Sequence, residues 1–177
     1  GSTFVYETPD PFTATAAPDL LQQLAGYRRT TIASRRLGLT HLMTGRELDD
    51  TTVGIAYLDT VCSLQSASLT EARAGKLSAA LISLVAAHEI GHNFGAPHDG
   101  EAGKACATIS PGAYLMAPTL STANSQFSQC SLDVIEQRVA AAQCLTAVDQ
   151  VHAEIIAPVA TARHGIGVHY AITFNVR

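Results

Sequence analysis

His88 and His92 stand four residues apart, and His98 follows six residues later, beyond Gly95. On a helix a spacing of four puts both imidazoles on one face. A glycine before the third histidine lets the chain turn back, so three ring nitrogens can converge on one point. Three neutral imidazoles suit a single Zn²⁺ ion and leave its fourth position open for water, as catalytic rather than structural zinc sites do. Glu89 adjoins the first of these histidines and projects about 100° around the helix from it, so it can stand beside that water without being a ligand. The ion brings the water pKa down to about 7 and polarises a scissile carbonyl, while the carboxylate takes the water proton and hands it to the leaving amine. That chemistry is peptide hydrolysis without a covalent intermediate. At the His, Glu and Gly content of this chain, H-E-x-x-H-x-x-G-x-x-H is expected by chance only roughly 3 × 10⁻⁵ times. His41, His152, His164 and His169 show no ligand spacing and read as solvent-facing or structural.

These residues need a scaffold. Leu77, Leu81, Leu84, Val85 and Ala86 predict a central helix from Lys76 to Phe94, with Gly95 as its left-handed stop. Upstream, Asp19 can cap a helix whose Leu20, Leu21, Leu24 and Tyr27 share a face. Gly38 to Arg46 reads as a turn region, and Thr52 to Leu58 as a strand that Gly54 could bend or open to a ligand. The Ser- and Gln-containing stretch from Ser63 to Ala74 reads as a loop. Ser128 or Ser131 can cap a last helix through Leu132, Ile135 and Val139 that ends near Cys144. Phe4 to Glu7 is a candidate short strand, and Val168, Tyr170, Ile172, Phe174 and Val176 alternate with other residues in the period of a β-strand.

The 177 residues are 47% hydrophobic and 15% charged, the balance of a chain that buries a core. A net charge of −4 without long basic runs excludes a nucleic-acid footprint and a polybasic membrane patch. No apolar run reaches the roughly 20 residues of a membrane span. The opening Gly1-Ser2-Thr3-Phe4 lacks a Met and signal-peptide character, which reads as a processed, cloned or truncated start. Cys62, Cys106, Cys130 and Cys144 are even in number and too far apart for a CxxC site, so disulfides are expected. Nothing in the composition sets an oligomeric state.

The stretch from His88 to Asp99 resembles the extended zinc signature of the metzincin metalloproteases, and Asp99 after the third histidine resembles the adamalysin/reprolysin branch, which holds the ADAM-type and snake-venom enzymes. The resemblance implies one catalytic zinc ion on His88, His92 and His98, Glu89 as general base, and Asp99 buttressing the zinc loop. Tyr114-Leu115-Met116-Ala117 is similar to the methionine turn beneath the zinc, which makes Met116 a packing floor. His41 to Arg46 and Val53 to Tyr57 are similar to the segment that becomes the edge strand over the cleft, where Gly54, Ile55 and Ala56 would pair with an extended peptide. Phe127 to Ser131 and Cys144-Leu145 are similar to the end of an ADAM-type catalytic domain, and the family pattern joins Cys62 to Cys144 and Cys106 to Cys130.

The fold so implied is α/β (α+β) and metzincin-like: a mixed sheet with an edge strand over a zinc cleft, a central active-site helix and a C-terminal helix, followed by the start of an all-β domain. Residues 1–146 would be the catalytic domain, without the first strand, first helix and second strand of the family, and 147–177 the opening of a truncated β-sandwich-like domain. The loop after Cys62 departs from the family in lacking its valine-rich strand. The β tail suggests a bacterial-type secreted protease acting on protein or peptide substrates. The alternatives are a catalytically inactive zinc-containing binding or adhesion module and, more remotely, a small-molecule hydrolase.

Overall fold

The computed structural model describes residues 5, 9–31, 37–49, 51–73 and 75–145. Leu20, Leu21, Leu24 and Ala25 recur at helical spacing on α1 (Ala17–Thr30), and all four are buried. Pro18 fits its first turn, where a missing N–H leaves no intrahelical bond unmade. Asp19 is not the cap. The capping position is Ala16, which makes no side-chain bond, and Asp19 lies one turn inside, where the positive end of the helix dipole favours an acid.

Against α1 lies a sheet of β1 (Thr40–Thr44), β2 (Gly54–Ala56) and β3 (Ala67–Glu71), ordered β1-β3-β2. β3 runs parallel to β1, with Leu42 opposite Leu69, and antiparallel to β2, with Ile55 opposite Leu69. Two of these strands correct the sequence reading. The region from Gly38 to Arg46 holds β1 between the two glycines that signal a turn, and the supposed loop from Ser63 to Ala74 holds β3, the central strand. All five residues of β3 are buried, so Ser68, Thr70 and Glu71 are polar without facing water and leave no alternating pattern to read. The strand expected over Thr52 to Leu58 is confined to Gly54–Ala56.

Leu42, Ala67 and Leu69 turn one face of the sheet to Leu20, Leu21, Leu24 and Phe12, with Ile55 and Tyr27 at the margin. By the twofold period of a strand, His41, Ser68, Thr70 and Gly54 occupy the other face. That face carries α2 (Ala79–Asn93), whose Val85 and Glu89 approach Gly54. Ser78 starts α2, its Oγ accepting from Leu81 N at 3.2 Å. Gly95, with φ of 92°, ends it, as Gly95 N bonds His92 O at 2.9 Å and Ala96 N bonds Gly91 O at 3.1 Å, the paired bonds of a Schellman cap.

α3 (Gln129–Ala141) begins at Ser128, whose Oγ accepts from Ser131 N at 3.1 Å, so Ser128 and not Ser131 is the cap. A second cluster of Leu39, Val61, Phe94 and Ala142, flanked by Ile90 and Ile135, joins α2 and α3. The Cys62–Cys144 disulfide closes this cluster, and Cys106–Cys130 ties the long loop after α2 to the start of α3. Both pairings are those the family resemblance implied. Among the described residues no helix is long and apolar enough to cross a membrane. The alternating segment at 168–176 and the β domain expected over 147–177 lie outside the described residues, as does Phe4 to Glu7 apart from Val5.

Candidate metal centre

His88 and His92 share one face of α2, and the cap at Gly95 reverses the chain so that His98 meets them. The His98 Nε2 lies 3.2 Å from the Nε2 of His88 and 3.2 Å from that of His92. Two nitrogens on a tetrahedral ion with bonds of about 2.0–2.1 Å are separated by about 3.3 Å, so the spacing fits a shared zinc. The protonation pattern fits as well. His88 Nδ1 donates to Leu115 O at 2.7 Å and His92 Nδ1 donates to Ala96 O at 2.8 Å, which assigns the Nδ1–H tautomer and leaves each Nε2 lone pair for a metal. Burial, reinforced by the neighbouring imidazoles, pushes both rings down to about 4, so they are neutral donors at physiological pH. Among the described residues these three histidines form a group able to hold a metal ion.

Glu89 is 7% exposed and lies against β2, where a Cβ on Gly54 would stand 2.6 Å from its Oε1. Burial pushes its carboxyl up to about 8, a rise that a cation held by the neighbouring histidines would oppose. β2 is an edge of the described sheet and its three residues are half-buried; of these Gly54 lies against Glu89, while Ile55 packs toward the α1 side of the sheet.

Met116 is fully buried under α2, its Sδ 2.9 Å from where a Cβ on Gly91 would lie. Leu115 N bonds Gln126 O and Asp99 N bonds Met116 O, which fixes the turn that presents Leu115 O to His88. Asp99, also fully buried, accepts from Ser128 Oγ at 3.0 Å and Ser131 Oγ at 3.5 Å. Burial raises its carboxyl above the usual range, and the two hydroxyls oppose that rise. The N-terminus of α3 is thereby joined to the residue after the third histidine. Ser128 is legible in the sequence as a cap but not as the partner of Asp99, 29 positions away, since the stretch between them carries no signal for the pair. Leu115 O and Ala96 O are backbone atoms and have no signature at all. His41, a residue left outside the site, is buried in the sheet with its Nδ1 2.8 Å from Ser68 Oγ.

The chain matches the family model described as metallo-peptidase family M12B, reprolysin-like, over residues 13–141. It is 38% identical over 119 residues to the zinc metalloproteinase-disintegrin-like brevilysin H2a of Gloydius brevicauda, which covers 66% of this chain and 27% of that relative. It is 32% identical over 118 residues to the hemorrhagic metalloproteinase-disintegrin-like kaouthiagin of Naja kaouthia, covering 66% and 28% respectively. Against the snake venom metalloproteinase TM-1 of Protobothrops mucrosquamatus the identity is 30% over 116 residues, covering 64% and 54%. The chain thus spans between about a quarter and about half the length of these relatives. None of them lends support to the bacterial-type reading.

Proposed function

Because this chain belongs to the reprolysin-like M12B metallopeptidase family, we propose that it is a secreted zinc endopeptidase in which His88, His92 and His98 hold one ion and Glu89 moves the protons. A zinc ion bound there supplies Lewis-acid polarisation of the scissile carbonyl and acidifies water. The chain does the rest. An extended peptide lies along Gly54, Ile55 and Ala56, its backbone adding to the open edge of β2. This puts the scissile bond over the face of α2 that carries the histidines and Glu89. The Glu89 carboxylate accepts a proton from the attacking water and, now a carboxylic acid, delivers it to the leaving nitrogen. Its burial against β2 excludes competing water from that transfer.

Met116 supports the histidines from below, and Asp99 anchors the loop that carries His98. The two disulfides and the venom origin of one relative support secretion. Within this reading the span of the family match, residues 13–141, acts as the catalytic unit. The observation that carries the proposal is the meeting of three Nε2 atoms, with the tautomers of His88 and His92 set by carbonyls and a buried carboxyl between those two on the same helix.

Incubation with an unstructured protein such as casein tests it. Cleavage that stops on chelation and returns with zinc is expected. A zinc-loaded protein that cleaves none of a diverse set of peptides would favour the inactive binding module instead.

A further inference from the structure

Asn93, the last residue of α2, follows the second histidine of the site and is fully buried. Its Nδ2 donates to Tyr57 O at 2.8 Å and to Ala67 O at 3.0 Å, with Thr60 Oγ1 at 3.4 Å. Tyr57 directly follows the edge strand and Ala67 opens the central one, and Ala67 O also accepts from Tyr57 N at 3.2 Å. Asn93 therefore sits at the point where the β2–β3 ladder ends and ties both strands to the helix. The backbone adds to this tie, since Asp59 N bonds His92 O, and Thr60 N and Val61 N both bond Asn93 O, at 2.8–3.0 Å. The turn after β2 thus satisfies the terminal carbonyls of the helix that carries His88 and His92.

The chemistry selects the residue type. Two carbonyl oxygens call for two donors on one atom, which a carboxamide nitrogen offers and a carboxylate or a hydroxyl does not. The same orientation leaves Asn93 Oδ1 buried without a partner among the described residues, a disadvantage that a side chain serving only to fill space would not carry.

We infer that Asn93 is a positioning residue that fixes the edge strand relative to the histidine site and so sets the affinity for extended peptides. This rests on the peptidase reading for its consequence in catalysis, while the coupling itself is testable without activity. Asn93→Asp keeps the volume and loses the paired donors, and Asn93→Ala loses both. For zinc-loaded protein, both variants raise KM for a peptide long enough to cross Gly54–Ala56 by about tenfold. Their kcat on a short substrate stays within about threefold of the parent protein. Hydrogen exchange of the amides from Ile55 to Asp59 quickens in both, while zinc stoichiometry is unchanged. Asn93→Asp is at least as damaging as Asn93→Ala. A milder Asn93→Asp, equal losses on long and short substrates, or unaltered exchange in β2 would each overturn the inference and leave Asn93 as packing. If the parent protein cleaves no peptide, the peptidase reading fails and the exchange comparison still decides whether Asn93 holds the strand.

Discussion

Gly54 and Glu89 share a space that only one side chain can occupy: a Cβ at position 54 would lie 2.6 Å from Glu89 Oε1 and 2.8 Å from its Cγ. Val85 Cγ1, also at 2.8 Å, blocks the remaining direction. The glycine on the edge strand is thus what lets a buried carboxyl stand between helix and strand. Gly54→Ala displaces the carboxyl or lifts β2 away from it. Since a misplacement of about 1 Å costs about 10²-fold in rate, kcat should fall by about that factor with zinc still bound. Steady-state kinetics beside metal analysis check this, and an unchanged kcat would show that Glu89 is not held by the strand.

Ser128 serves two partners, as cap of α3 and as donor to Asp99. Ser128→Ala should cost about 1 kcal/mol of stability through the cap. It should also weaken zinc binding by about 10-fold, because Asp99 then loses the bond that steadies the loop of His98. Ser128→Asn restores a cap without the same donor geometry, so it should recover stability more fully than metal affinity. Thermal melts and competition with a zinc indicator separate the two effects.

The site was far more legible in the sequence than the sheet that carries it. Histidine spacing on a helix is a local property, and so is the glycine that ends the helix, which is why His88, His92, His98, Glu89 and Gly95 could be placed before any fold was known. β3 escaped because its Ser68, Thr70 and Glu71 are polar and buried together, with Glu71 held by Leu48 N and Lys76 Nζ instead of by water. Burial on both faces erases the alternation by which a strand announces itself. β1 escaped because Gly38 and Gly45 bracket it so closely. Long-range partners such as Ser128 with Asp99, or Asn93 with Tyr57, depend on the finished fold and have no local counterpart.

His41 gives the fold a dependence on acid that is separate from the metal site. It is 1% exposed, its Nδ1 meets Ser68 Oγ, and burial pushes its pKa down from 6.5 to about 4. Between those values the unfolded chain holds a proton that the folded chain does not. Stability therefore falls as pH drops from about 6.5 to about 4, by about 3 kcal/mol from this group. Denaturant unfolding across that window should show a shallower acid decline for His41→Gln than for the parent protein. Parallel declines would place His41 in a polar environment that it does not occupy here.

Peptide hydrolysis at this site depends on Glu89 carrying protons beside a metal held by its neighbours. Turnover of an extended peptide by Glu89→Gln, compared with the parent protein at equal zinc content, tests this most directly. The amide keeps the shape and cannot accept the proton, so kcat should fall by about 10²–10⁴-fold while one zinc per chain remains. A zinc-loaded Glu89→Gln that cleaves the peptide at the parent rate would contradict the account.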